Sequence, residues 1–269
     1  FADAYAHGLT PNPCVVCNRY VKFGFLLDRA IDAGYDTVAT GHYARIWKGG
    51  GRCLVQKAAD AKKDQSYVLA MLTTEQLSHV AFPLGALSKP EIRAMAEEAG
   101  LVTAHKSDSQ DICFIPDGDY NAFLTRYTGK AAEPGDFLAP DGRKVGTHRG
   151  QRCYTIGQCR GLGIALGCRM YVTAKDAEAN TVTIDANENT LYRTRVVCRR
   201  FNNQTGARLP DGMVCAAKLR YAHRESPCRV WESDGGLVLE FDTPQRAPTP
   251  GQFAVLYDGD MVLGGAEIL

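Results

Sequence analysis

Two cysteines three residues apart, within Thr10-Pro11-Asn12-Pro13-Cys14-Val15-Val16-Cys17-Asn18, are the residues whose type and spacing most directly permit chemistry. A Cys-x-x-Cys pair can hold a metal, cycle between dithiol and disulfide, or supply a nucleophile and its resolving partner. A structural zinc site needs a second half-site, and the sequence has no other Cys-x-x-Cys and no His-x-x-x-His. No metal is expected. Two prolines fix the backbone ahead of the thiols, and a helical pattern begins at Val21. A thiol just before that helix would feel the positive end of its dipole, which raises the thiolate fraction. Cys17 lies closer to that start than Cys14 and is predicted to be the better placed. Of the ten cysteines, Cys53, Cys168, Cys198, Cys215 and Cys228 read as small buried hydrophobes. Spread through a chain of core-building size with no targeting segment, they indicate a reducing, cytoplasmic setting.

The elements that would carry these thiols follow from periodicity. Phe25, Leu26, Ala30 and Ile31 fall near helical spacing, with Gly34 as a stop signal. Asp36-Thr37-Val38-Ala39-Thr40 then reads as a short strand closed by Gly41, which puts Gly41-His42-Tyr43-Ala44-Arg45 at a strand's carboxyl end. Ligands bind at that end in open α/β sheets. A basic, Gly-rich hairpin is predicted at Lys48 to Arg52, and Lys63-Asp64-Gln65-Ser66 opens a helical run from Tyr67 to Leu72. Ser88-Lys89-Pro90-Glu91 combines a capping box with an early proline, and its helix should end at Gly100. These elements make residues 1–105 an α/β unit. Beyond the polar stretch Lys106 to Asp111, closely spaced glycines and short β-like runs such as Met170 to Thr173 and Thr181 to Ile184 predict a small β-rich domain over 106–192. Strands at Ala216 to Tyr221, Leu237 to Phe241 and Phe253 to Tyr257, with a turn at Asp258-Gly259, predict a C-terminal β-barrel over 193–269.

Composition supports a folded chain, with 45% hydrophobic and 23% charged residues and a net charge of +1. No apolar run approaches the ~20 residues of a membrane span, so no membrane partner is expected. The neutral total hides a polarised last module. Nine cations from Arg193 to Arg229 face only Asp211 and Glu225, a basic stretch suited to the phosphates of a polyanion. Within it, Arg220-Tyr221 pairs a phosphate-seeking guanidinium with a ring on which a base can stack.

Several motifs in order resemble one known family, the tRNA-specific 2-thiouridylases. They are Thr10-Pro11-Asn12-Pro13, Cys17-Asn18, Lys22-Phe23, Ala39-Thr40-Gly41-His42-Tyr43, Lys63-Asp64-Gln65-Ser66-Tyr67, Phe82-Pro83-Leu84-Gly85, Asp111-Ile112-Cys113-Phe114-Ile115, Tyr154-Thr155-Ile156-Gly157-Gln158 and Gly161-Leu162-Gly163-Ile164. The resemblance implies an adenine-nucleotide alpha-hydrolase-like α/β domain with a truncated open sheet, followed by the two β domains. It implies ATP, with Mg2+, as the activator that adenylates the carbon-2 oxygen of the wobble uridine. It further implies a cysteine persulfide as sulfur source, loaded by a sulfur-relay or cysteine desulfurase donor protein. By motif, Cys17 matches the family's nucleophile and Cys113 its persulfide carrier. Gly41 would let a nucleotide approach the strand end without a side-chain clash. Asn12, Pro13 and Cys14 look like the segment that touches the target base, Lys63, Asp64 and Gln65 match the family's tRNA-contacting segment, and Gln252 stands at a matching position, while His42, Arg220 and Tyr221 are candidate RNA contacts from their own chemistry.

Two departures qualify the match. The family's Ser-Gly-Gly-Val-Asp-Ser-type pyrophosphate loop has no counterpart in this sequence, so the chain is expected to be an N-terminal truncation that lacks most of the ATP site and is inactive by itself. Cys159 stands where an arginine is expected, although His148, Arg149, Arg152 and Arg160 keep that loop basic. Two other readings remain open at this level: a different adenylating α/β enzyme, which would need no thiol pair, and a non-catalytic RNA-binding fragment.

Overall fold

The computed structural model describes residues 1–105 and 112–269. The polar stretch 106–111, with the domain boundary drawn at its start, lies outside the described residues.

Helix α1 (Ala2–Ala6) leads through an extended segment into α2 (Pro13–Cys17), a π-helical stretch (Asn18–Phe25) and α3 (Leu26–Asp32), which follow without a break. The helix expected from Val21 therefore begins at Pro13. The proline that reads as loop stands at the first helical position, where its missing N–H leaves no bond unmade. Asn12 caps the helix, its Oδ1 accepting from Val15 N at 3.4 Å. The wider π turns leave backbone carbonyls short of partners, and Gln76 supplies them. Its Nε2 donates to Arg19 O at 3.0 Å and Phe23 O at 2.6 Å. Val15, Phe23 and Leu27 form the buried face, each such side chain contributing about 1.5–3 kcal/mol on leaving water. Tyr20, Val21, Phe25 and Leu26 stay exposed on the other.

The strand expected over Asp36 to Thr40 contracts to β1 (Val38–Ala39). It pairs in parallel with β4 (Val80–Ala81), while β2 (Ala44–Gly49) and β3 (Arg52–Lys57) form the predicted hairpin. Between β3 and β4, the run from Tyr67 shortens to α4 (Ser66–Leu69), followed by α5 (Thr74–Ser78). Helix α6 (Lys89–Glu98) is capped as its sequence demands: Glu91 Oε2 accepts from Ser88 N at 2.7 Å and Oγ at 2.6 Å.

After α7 (Tyr120–Thr128), four strands form a mixed sheet in the order β6-β5-β8-β7. They are β5 (Gly135–Leu138), β6 (Lys144–His148), β7 (Tyr171–Asp176) and β8 (Thr181–Asp185). The last six strands are β9 (Tyr192–Asn203), β10 (Met213–Lys218), β11 (Ser226–Ser233), β12 (Gly236–Arg246), β13 (Phe253–Asp258) and β14 (Met261–Ile268). They run antiparallel in the order β13-β10-β11-β12-β9-β14, and β13 pairs with β14 to close the barrel. One feature was not legible in the sequence. The β2–β3 hairpin joins the barrel sheet through Met261 and Gln56, so the first unit and the last share a sheet. They also share a core, in which Val15, Phe23, Val55 and Tyr67 pack with Phe253, Val255 and Tyr257. No helix among the described residues is long and apolar enough to cross a membrane.

Candidate active site

Cys14 occupies the first turn of the helix and Cys17 lies one turn further in, which reverses the order expected from a helix start at Val21. Cys14 is exposed, Cys17 half-buried and Cys113 exposed. Desolvation pushes the Cys14 thiol up, with a further contribution from Cys113, while Lys22 acts in the opposite sense and Cys17 adds to the rise. The neighbourhood that the sequence reading divided between Cys17 and Cys113 thus holds three thiols. Cys17, Asn12 and Pro13 line a cavity of about 720 Å3, whose other walls include Phe114, Met71 and the barrel residues Phe201 and Phe253. Phe114 is held edge-on to Phe1 at 5.4 Å and packs against Phe123 at 5.2 Å, which anchors the segment that carries Cys113.

Lys22 is a further functional candidate, since its charge acts on Cys14. In a straight α-helix, eight residues overshoot two turns by about 80°, so Lys22 and Cys14 would not share a face. The wider π turns between them remove part of that offset. Lys22 Nζ also reaches His42 Nε2 at 3.5 Å. An ammonium can only donate, so Nε2 accepts, and Nδ1 carries the proton it donates to Thr40 Oγ1 at 2.8 Å. Burial between Phe23 and Phe82, then the Lys22 charge, hold the imidazole down at about 4. His42 is therefore a neutral group at the end of β1. Beside it, a Cβ built on Gly41 meets only Leu84 Cδ1, at 3.4 Å. Neither backbone conformation nor crowding requires glycine there. Its missing side chain leaves the strand end open.

Several residues expected to contact RNA hold the protein together. Asp64 Oδ1 accepts from Ala58 N at 2.9 Å and its Oδ2 from Ser66 Oγ at 2.6 Å, while Gln65 Oε1 accepts from Tyr43 N at 2.9 Å. Gln252 Nε2 donates to Thr10 O at 2.7 Å, tying the barrel to the segment that leads into the thiol helix. Gly251 beside it has φ +88, and a Cβ there would press on Leu9 and Thr10 at 3.0–3.1 Å, so this position requires glycine. Arg220 lies beyond the end of β10, and its Nη2 donates to Ile156 O at 3.0 Å, to Ala247 O at 3.1 Å and to Thr249 Oγ1. That is a clamp between central domain and barrel. Tyr221, by contrast, is exposed, with its hydroxyl donating to Asp64 O at 3.3 Å. Tyr221, Lys62, Asp64 and Arg224 line a groove of about 660 Å3. The basic stretch is also partly neutralised. Arg199 and Arg200 pair with Glu267, Arg208 with Asp211, and Lys218 with Glu225. Among the described residues, no three His, Cys, Asp or Glu side chains group to hold a metal ion.

An α/β unit carrying Cys14 and Cys17 is thus docked onto a β-rich domain and a closed barrel. Family models match in the same order: a tRNA methyl transferase HUP domain over residues 1–117, a tRNA methyl transferase PRC-barrel domain over 121–186, and an aminomethyltransferase beta-barrel domain over 199–268. The chain is 45% identical over 271 residues to the tRNA-specific 2-thiouridylase MnmA of Lachnoclostridium phytofermentans, covering all of this chain and 76% of that protein. It is 46% identical over 272 residues to the protein of the same name from Symbiobacterium thermophilum, covering 70% of it, and 42% identical over 279 residues to that of Treponema denticola, covering 76%. The chain belongs to the tRNA-specific 2-thiouridylase family.

Proposed function

We propose that this protein converts the wobble uridine of tRNA to 2-thiouridine, with Cys113 as the sulfur carrier and Cys17 as the resolving nucleophile. The observation that carries the reading is the single cavity that Cys17 shares with Phe114, the residue next to Cys113. ATP, when bound with Mg2+, supplies the adenylyl group that makes the uridine 2-oxygen a leaving group. The terminal sulfur of a persulfide on Cys113, loaded by a donor protein, then attacks carbon-2 and AMP departs. The Cys17 thiolate attacks Cys113 Sγ, the base leaves with the outer sulfur, and a Cys17–Cys113 disulfide remains for a thiol reductant to reopen. Gly41 gives the nucleotide access to the strand end. Asn12, Pro13 and Cys14 present the target base to the thiols, while His42, Lys63 and Tyr221 face the RNA. Asp64, Gln65, Arg220 and Gln252 shape that surface through the bonds described above. Ten free cysteines suit the reducing cytoplasm in which this chemistry would run.

The test replaces the native protein in cells with Cys17→Ser or Cys113→Ser and measures 2-thiouridine in isolated tRNA by mass spectrometry. Either change should abolish the modified nucleoside while leaving tRNA affinity within a few-fold. Normal 2-thiouridine in either strain would remove the role assigned to that cysteine. Peptide mapping after mild oxidation should recover Cys17 joined to Cys113. Recovering only Cys14 joined to Cys17, together with an active Cys17→Ser variant, would transfer the nucleophile's role to Cys14.

A further inference from the structure

A cavity of about 450 Å3 opens where the central sheet meets the outer wall of the barrel. Its apolar floor includes Ile156, Ala247 and Pro250, and Lys175 of β7 with Arg193 and Arg195 of β9 supply its charge. No Asp or Glu is among the residues lining it. The two arginines stand two apart on one strand and so leave the same outward face, while Val196 and Cys198 point into the barrel core. The three cations come from two different sheets, so the hollow exists only in the docked arrangement.

Their own bonds do not explain the cluster. Lys175 Nζ donates to Tyr154 O at 2.9 Å, and Arg193 uses Nη1 alone, toward Thr190 O at 2.7 Å and Tyr192 O at 2.9 Å. The Arg195 side chain has neither a hydrogen bond nor an ion pair among the described residues. The neighbouring side-chain carboxylates are occupied or apart, and Leu269, whose main-chain end also lines the hollow, forms no ion pair with the three cations among the described residues. Glu188 is paired with Arg246 at 2.8 Å, Asp176 accepts from Glu178 N and Ala179 N at 2.9 Å, and Glu240, opposite Arg195 in register, makes no ion pair with it among the described residues. Burial brings the Lys175 ammonium down to about 8, a cost that a bound anion would offset.

We propose that this interdomain hollow binds a phosphate group, held by Lys175 as a point charge and by the forked guanidinia of Arg193 and Arg195. Two sources share that chemistry, a backbone phosphate of the bound RNA and free phosphate or diphosphate. The first rests on the tRNA reading above, and the second does not.

The experiment measures tRNA affinity from 50 to 200 mM salt, and calorimetric binding of inorganic phosphate and pyrophosphate. It compares the unaltered protein with Lys175→Met and Arg195→Gln. Arg195 is exposed, so its replacement leaves folding intact, and melting curves check the Lys175 variant. If RNA supplies the phosphate, the slope of log affinity against log salt falls by about 0.7–0.9 for each phosphate charge that the variant no longer neutralises. If a free anion is the occupant, that slope is unchanged, and pyrophosphate binds the unaltered protein but at least tenfold more weakly to both variants. An unchanged slope with no variant-sensitive binding of either anion overturns the proposal. Failure of the unaltered protein to bind tRNA would overturn the functional reading while the anion titration still judges this site.

Discussion

Arg220 is where the sequence and the structure make opposite predictions, and replacing it with methionine separates them. Methionine keeps most of the apolar stem and removes the donations to Ile156 O, Ala247 O and Thr249 Oγ1. Ala247 O retains a donor, since Thr249 Oγ1 donates to it at 2.9 Å. Ile156 O has no other hydrogen bond among the described residues. A buried acceptor without a partner costs about 1–3 kcal/mol, and a hydrogen bond from a charged group contributes about 1.5–3 kcal/mol. Against this, removing Arg220 relieves the desolvation that pushes its guanidinium down, and the repulsion from Arg246. The expected net loss is about 2–3 kcal/mol, which lowers the melting temperature by about 4–10 °C for a chain of this size. Calorimetric melting measures the loss, and tRNA binding against salt, at a temperature where the variant is folded, measures the charge. A clamp predicts lower stability with an unchanged salt slope. A slope reduced by about 0.7–0.9 with an unaltered melting temperature would refute the reasoning and make Arg220 a phosphate contact.

His42 gives a pH signature. Its folded value of about 4 lies below the ordinary 6.5, so the folded state binds fewer protons, and stability falls as pH drops from about 6.5 toward 4. Between pH 7 and pH 5 this group alone should remove about 2 kcal/mol, and an equal loss in His42→Gln by denaturant titration would exclude it as the source. Gln204 is fully buried, accepting from Val55 N at 3.0 Å and donating to Leu72 O at 3.1 Å and Ala70 O at 3.2 Å. Gln204→Leu should cost about 2–4 kcal/mol in denaturant unfolding, and a change under 0.5 kcal/mol would show that other groups satisfy this junction.

Three of the six barrel strands and the Ser88 cap were legible because they rest on local rules. The continuous apolar run from Phe253 to Tyr257 and the reciprocal Ser88–Glu91 bonds need no distant partner. The start of the thiol helix was missed because Cys14 to Asn18 shows no apolar periodicity, and the prolines that mark a loop also suit a first turn. Arg220 and Gln252 were recognisable as residues of consequence, but not as clamps. Whether a guanidinium meets solvent or three acceptors depends on chain segments that approach from far along the sequence. The junction of β3 with β14 was invisible for the same reason, as was Gln204.

That junction also bears on how the chain is made. β3 emerges from the ribosome about 200 residues before Met261, the residue that pairs with Gln56, and well before Gln204, which receives the Val55 N–H. At about 5–20 residues per second, the wait for β14 is on the order of 10–40 s. Throughout that interval one edge of the β2–β3 hairpin has no strand to pair with, and the apolar side chains of Val55 and Tyr67 lack the barrel face that later covers them. An unpaired edge beside exposed apolar surface is the usual starting point for mispairing between chains. Newly synthesised protein is therefore expected to depend on a holding chaperone until its last strand appears, and pulse-labelled chains stalled before residue 261 should pellet where finished chains do not.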